Sequence, residues 1–147
     1  MSYALFAQRK VMLTGHLASV QLQQTQRSNE EFRLSSDSLS LSKQLSSMQA
    51  SQAGELASLY EDLAKAPSSE ARESINAMIK SAEEAFQVQI DGLNIQIYQT
   101  EMKANAIEME VKRLDTEVSE IQKQLEAVEE AEGTAIDNAT PKFKGVG

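Results

Sequence analysis

The chain of 147 residues carries a formal net charge of −8 and has a pI near 4.7, and it contains no cysteine and only seven aromatic residues. The lack of cysteine excludes disulfides and thiolate chemistry. No cluster of Lys and Arg is present to neutralise phosphate, so the sequence predicts no nucleic-acid partner. The composition, dominated by Ser, Gln, Ala, Leu and Glu, is typical of long helices with an apolar stripe.

Residues 1–22 have the highest apolar density in the first half of the chain. Their apolar side chains return at helical spacing, which predicts an amphipathic helix. We expect its apolar face to pack against the second half of the chain or against a neighbouring subunit. The predicted packing residues are Tyr3, Phe6, Leu13, Leu17 and Val20.

Two membrane-related alternatives are disfavoured for this segment. A helix bound to a membrane surface would be expected to carry more cations than Arg9 and Lys10, and to carry tryptophan, which the chain lacks. A cleaved signal peptide does not fit, because those two cations follow the first apolar residues instead of preceding them. No stretch reaches the roughly 18 apolar residues of a membrane span, so we expect a protein that is soluble when made.

The first arm, predicted to extend from residue 1 to residue 66, contains two weak points. Residues 21–31 are almost wholly polar and could either continue the helix or form a short loop that breaks it near residues 28–31, and residues 49–54 could bend or interrupt it. Between residues 35 and 58, nine of 24 residues are Ser, whose hydroxyl competes for backbone hydrogen bonds. This part of the arm is therefore expected to need a partner in order to stay helical.

The clearest break in the pattern is at Pro67, near the middle of the chain. Proline disfavours helical backbone in the residue before it, and Ser68 or Ser69 can cap a new helix whose first turn contains Glu70. The sequence therefore predicts a turn at residues 67–69 and a second helix that runs back along the first. The predicted fold class is all-α, a long antiparallel helical hairpin or coiled coil that oligomerises.

Residues 70–132 are predicted to form a coiled-coil helix, because apolar residues return every three and then four positions for more than five heptads. We call the a and d positions of this repeat the seam, and eleven of the twelve from Ile90 to Val128 are apolar. The predicted assembly residues of the seam are Ile90, Leu93, Ile97, Ile107, Val111, Leu114, Val118, Ile121, Leu125 and Val128. Gly133 suits the end of this helix, and residues 133–147 are predicted to form a tail, either flexible or docked on a neighbour.

Charge favours one partner for the seam. Residues 1–50 hold five basic and three acidic side chains, whereas residues 71–132 hold six basic and fourteen acidic ones. A parallel homodimer would place Glu110 against Asp115, so pairing with the first arm of the same chain is favoured. A single partner would still leave a second apolar flank exposed, and exposed patches of this kind mark association sites. That flank includes Ile95, Tyr98, Met102, Ala106 and Met109.

The sequence contains no motif for catalysis or ligand binding. The single histidine, His16, has no second His and no Cys with which to share a metal ion, and the Glu-x-x-His repeat of di-iron bundles is absent. Gly-rich phosphate loops and nucleophile elbows are absent as well. We therefore predict no enzyme activity, no cofactor and no metal.

The lack of cysteine, the few aromatic residues, the apolar N-terminal helix and the long C-terminal coiled coil are similar to those of bacterial secreted helical filaments, such as flagellins and type III secretion filament or needle proteins. The leading hypothesis is a noncatalytic structural subunit that self-assembles into a filament or a higher oligomer. The alternative is a cytosolic coiled-coil adaptor or secretion chaperone that binds the amphipathic helix of another protein. The location is left open between the extracellular space, after export without a signal peptide, and the cytoplasm.

Overall fold

Two long helices make up the computed structural model, which describes residues 3–139. Helix α1 spans Tyr3–Ala64, and helix α2 spans Ser69–Ala139. Within the described residues, 97% of the chain is helical, the two helices pack together, and no strand occurs. The prediction of an all-α helical hairpin is therefore confirmed.

The chain reverses direction between the helices, where the sequence has its first proline. At the end of α1, the Lys65 N–H donates to the Glu61 carbonyl at 3.2 Å. Ser68 then caps α2, since its Oγ accepts a hydrogen bond from the Ala71 N–H at 3.1 Å. The break falls here because proline lacks an N–H and disfavours helical backbone before it, and because Ser68 supplies the acceptor that a new helix needs.

The chain forms two compact units. The first, called the terminal unit, consists of Met1–Glu31 and Ala106–Gly147. The second, called the turn unit, consists of Phe32–Asn105. Each unit contains one stretch of α1 and one stretch of α2, so each has its own interface between the two helices.

The two helices are antiparallel within each unit. In the terminal unit, Lys10 lies beside Glu132 and Arg27 lies beside Glu110, so residue numbers fall along α2 as they rise along α1. In the turn unit, the reversal of the chain itself sets the opposite directions. An antiparallel arrangement with a short connection is the expected result of two helices joined by a tight turn.

Helix α1 is continuous through the polar residues 21–31, and the short loop considered for this segment is absent. The reason is that polar side chains on α2 face it. Gln24 Nε2 donates to Asp115 Oδ1, and Arg27 Nε donates to Glu110 Oε1. Side chains that would otherwise favour a solvated loop are satisfied while the backbone remains helical.

The predicted bend at residues 49–54 and the predicted end of α2 at Gly133 are also absent. Helix α1 passes through residues 49–54 without a break, and Gly54 lies inside it. Gly133 does not end α2, which continues to Ala139, seven residues beyond the predicted end at residue 132. An internal glycine costs a helix only about 1 kcal/mol relative to alanine, and no proline follows before residue 141 to stop it. The rest of the predicted tail, residues 140–147, lies outside the described residues.

Candidate assembly surface

A buried apolar cluster holds the two helices together in the terminal unit. It consists of Val20 from α1 with Leu114 and Ile121 from α2, and Leu114 is completely buried. A fully buried aliphatic side chain contributes about 1.5–3 kcal/mol, so these three residues are a main source of the unit's stability. The partly buried residues packed around them are Leu13, Leu17, Val118 and Leu125.

The seam of α2 is covered within the single chain, but to different degrees along its length. All twelve a and d positions from Ile90 to Val128 are buried or half-buried. The buried seam residues are Ile107, Leu114, Ile121 and Val128. The half-buried assembly residues are Ile90, Leu93, Ile97, Val111, Val118 and Leu125. The seam residues of α2 therefore pack against α1 in the same chain. The half-buried ones still expose part of their side chains to water.

The five predicted N-terminal packing residues do not all lie in the interface. Phe6 and Val20 are buried, and Leu13 and Leu17 are half-buried in the apolar cluster. Tyr3 is instead 55% exposed. It lies in the first turn of α1, at the edge of the predicted face, so the helix can bury that face and still leave this ring in water.

Charged side chains line the edges of the interface in the terminal unit. Lys10 Nζ lies 3.5 Å from Glu132 Oε2 and 3.9 Å from Glu129 Oε1. His16 Nε2 lies 3.3 Å from Glu117 Oε1, a contact that becomes an ion pair when the imidazole is protonated. These contacts join the basic start of the chain to its acidic end. They favour the antiparallel arrangement over self-pairing of α2, although partly exposed ion pairs contribute only about 0–1 kcal/mol each.

Arg27 forms hydrogen bonds to acidic side chains on both helices. Its Nη1 donates to Glu30 Oε2 at 2.8 Å on its own helix, and its Nε donates to Glu110 Oε1 at 3.2 Å on α2. The hydrogen bond to Glu30 and the negative charge of Glu110 raise the pKa of the Arg27 guanidinium above its ordinary value. An arginine side chain is charged at physiological pH in any case, so its two charge-assisted hydrogen bonds help to fix the register of the helices.

A row of exposed apolar residues runs along α2 on the side opposite the seam. We call it the outer stripe, and it consists of Val88, Ile95, Met102 and Met109, which are 72%, 57%, 54% and 72% exposed. The spacing of seven residues places all four at one heptad position. Tyr98 lies beside the row and is 62% exposed. The predicted outer flank included Ile95, Met102 and Met109 but not Val88. Val88 could have been predicted as well, because it lies seven residues before Ile95.

Helix α1 exposes apolar side chains as well. They are Tyr3, Leu5, Val11, Met12 and Leu22 in the terminal unit, and Phe32, Leu39 and Tyr60 in the turn unit. Single exposed apolar residues are common on soluble proteins and need no explanation. Two pairs of them, Leu5 with Met12 and Phe32 with Leu39, are also seven residues apart. The outer stripe is longer, because four consecutive members of one heptad position form a row on a single helix.

The described residues contain neither a cluster of metal-binding side chains nor a buried polar side chain. Between residues 3 and 139 there is no group of three His, Cys, Asp or Glu side chains that could hold a metal ion, and no polar or charged residue is buried. None of the described helices is long and apolar enough to cross a membrane. Comparisons of the chain with family models, with curated proteins and with solved structures found no match.

Proposed function

We propose that this chain is a noncatalytic structural subunit that self-assembles through its helices into a filament or a higher oligomer. The observation that carries the proposal is the apolar surface that the hairpin leaves in water. Among the described residues, fifteen large apolar side chains are exposed and seven apolar residues are buried. Four of the exposed side chains form the outer stripe, and a row of that kind is characteristic of a surface that a further helix covers.

The symmetry of the contact decides which kind of assembly forms. If two different surfaces of the chain meet, each added copy leaves a new surface for the next one, and a filament grows unless the ring closes. If one surface meets its own copy, the assembly closes as a dimer at that contact. Both kinds of contact can coexist in one chain, because the exposed residues of α1 and the outer stripe of α2 lie on different helices.

The mass of the protein in solution tests self-assembly. Light scattering during size exclusion, at two protein concentrations, should give a mass that exceeds the 16.2 kDa chain and rises with concentration. Electron microscopy of the concentrated sample then separates filaments from closed oligomers. A mass that stays at 16.2 kDa at both concentrations, with a helical circular dichroism spectrum, would contradict the proposal.

A second candidate is an adaptor or secretion chaperone that binds the amphipathic helix of another protein. One observation favours it, an open groove of about 500 Å³ in the terminal unit, where both helices contribute. Its lining residues are Ala7, Lys10, Val11, Thr14, Leu125, Glu129 and Glu132. An adaptor should stay monomeric when purified alone and form a stoichiometric complex on coexpression with its partner, whereas a structural subunit should assemble without one.

A further inference from the structure

The outer stripe is nearly free of charge along its whole length. The two heptad positions that flank it between Val88 and Met109 contain one charged residue, Asp91. The other flanking residues are Gly92, Tyr98, Gln99, Asn105 and Ala106. Farther along α2, residues 108–132 hold nine acidic and three basic side chains, so like charges would oppose contact between copies there. A second copy therefore meets less repulsion at the stripe than at residues 108–132.

We infer that the outer stripe packs against the same stripe of a second copy, with the two α2 helices antiparallel about a two-fold axis between Tyr98 and Gln99. This inference rests on the proposed self-assembly and assigns one contact within it. All the residues concerned lie on one uninterrupted helix. Their order along the face therefore follows from helix geometry alone.

The four positions of the stripe are evenly spaced on both sides of this axis. In the antiparallel register, Val88 of one copy lies opposite Met109 of the other, and Ile95 lies opposite Met102. Each copy thus contributes the same four side chains to a two-fold contact, as a symmetric interface requires. The stripe is about 32 Å long at 1.5 Å per residue, and with a width of about 10 Å it covers roughly 300 Å² per copy. The total of about 600 Å² is below the ~1,000 Å² of a stable specific interface, so the association through this contact alone is weak and transient.

Charges at the two ends of the stripe favour the antiparallel direction. Glu84 precedes Val88 by four residues and Arg113 follows Met109 by four, so each shares a face with its neighbour in the stripe. In the antiparallel register, Glu84 of each copy lies opposite Arg113 of the other, at both ends of the contact. A parallel register would instead place Glu84 against Glu84 and Arg113 against Arg113. Within one chain, Arg113 pairs with Glu117 at 3.3 Å, but the arginine side chain is 63% exposed. An exposed ion pair is weak, so Arg113 can exchange it for a contact with Glu84 of the other copy.

A single substitution tests whether the stripe is the contact. Met102→Lys places a charge opposite Ile95 of the other copy, twice in each dimer, and should weaken self-association roughly a hundredfold. Thr116→Lys is the matched control, because it adds the same charge at the same heptad position, one heptad beyond Met109. Sedimentation equilibrium gives the association constants, and circular dichroism verifies that both variants remain helical.

The direction of the helices is tested by cross-linking, which is clean because the chain has no cysteine. A Val88→Cys protein mixed with a Met109→Cys protein should form a mixed disulfide on mild oxidation, whereas neither should form a disulfide with itself. A parallel contact would give the reverse pattern, with each variant linking to its own kind. That result would overturn the antiparallel arrangement, because a disulfide needs its two Cβ atoms within about 4.5 Å of each other.

These outcomes separate the inference from the proposed self-assembly. If the unmodified chain assembles and Met102→Lys assembles equally well, self-assembly stands and the outer stripe is not its contact. If the unmodified chain remains monomeric at all concentrations, both are wrong. Binding of the monomer to phosphatidylcholine vesicles that disappears with Met102→Lys would identify a lipid surface as the occupant instead, and would also overturn the inference.

Discussion

The terminal unit and the turn unit are built from the same two helices, yet they bury apolar side chains to different degrees. Among the described residues, one buried apolar residue, Ile79, belongs to the turn unit. The other six belong to the terminal unit, and they are Phe6, Val20, Ile107, Leu114, Ile121 and Val128. Part of the difference originates in the seam of α2, because its one polar position, Thr100, and its one alanine, Ala104, both lie in the turn unit.

Helix α1 contributes the other part of the difference. In the terminal unit, α1 brings Leu13, Leu17 and Val20 against the seam. In the turn unit, the same spacing brings Leu34, Ser38 and Leu41, so a serine takes the place of a leucine, and the third residue, Leu41, is half-buried. Its counterpart in the terminal unit, Val20, is buried. The burial of a seam residue therefore depends on the size of the α1 side chains that face it. The turn unit also holds three of the four outer-stripe residues, so a second copy would cover the unit that buries the least by itself.

The largest effect is expected from truncating the same seam position in each unit. Leu114 and Leu93 are both leucines at d positions, three heptads apart, and Leu114 is completely buried whereas Leu93 is half-buried. Leu114→Ala should lower the free energy of unfolding by about 2–5 kcal/mol, because it loses buried contacts and leaves a cavity. Leu93→Ala should lower it by about 1–2 kcal/mol, since part of that side chain is already in water.

Urea unfolding followed by circular dichroism measures both free energies, at one fixed protein concentration because assembly adds to apparent stability. Equal losses for the two variants would show that the turn unit is packed as well as the terminal unit, and the comparison between the units would then be wrong.

Hydrogen exchange should show the same contrast without a substitution. At protein concentrations too low for assembly, the α2 amides of residues 107–125 should exchange at least roughly tenfold more slowly than those of residues 86–104, because the less buried unit opens at lower free energy. Mass spectrometry of peptides from both stretches makes the measurement. Raising the protein concentration should slow exchange in residues 86–104 more than in 107–125. Uniform exchange along α2 would contradict the difference between the units.

The hairpin could be predicted from the sequence because its causes are local. Pro67 stops α1, Ser68 caps α2, and the seam repeats every seven residues, so each signal depends on neighbours within a few positions. The outer flank was also predictable, because residues seven apart on one helix must share a face.

The remaining features depend on contacts between distant parts of the chain. The polar stretch of α1 stays helical because Arg27 meets Glu110, 83 residues away, and no local pattern reveals that pairing. The contribution of α1 to the difference between the units could not be predicted either. It depends on which α1 side chain faces each seam residue, and a shift of a few residues in register would have changed every facing pair.

Replacing a glycine in the turn unit should have a smaller effect and a stabilising one. Gly54 lies inside α1, and apart from the adjoining residues and the nearby backbone of its own helix, no atom lies within 4 Å of the position that a Cβ would occupy. Gly54→Ala should therefore raise the free energy of unfolding by about 1 kcal/mol, the difference in helix propensity between the two residues. Gly15→Ala is the matched control in the terminal unit, with equally open surroundings. A loss of stability at Gly54 alone would show that α1 bends in the turn unit.

The smallest effect concerns the ion pairs that distinguish the terminal unit. Lys10 and Glu132 are 3.5 Å apart, but the lysine side chain is 40% exposed, so water and salt weaken their attraction. A double-mutant cycle with Lys10→Gln and Glu132→Gln should give a coupling free energy of about 0.2–1 kcal/mol, which falls toward zero in 1 M salt, where the screening length is ~3 Å. Lys43→Gln, the same change in the turn unit, provides the reference for loss of charge alone. A coupling well above this range would mean that charge, more than the apolar cluster around Leu114, makes the terminal unit the better packed of the two.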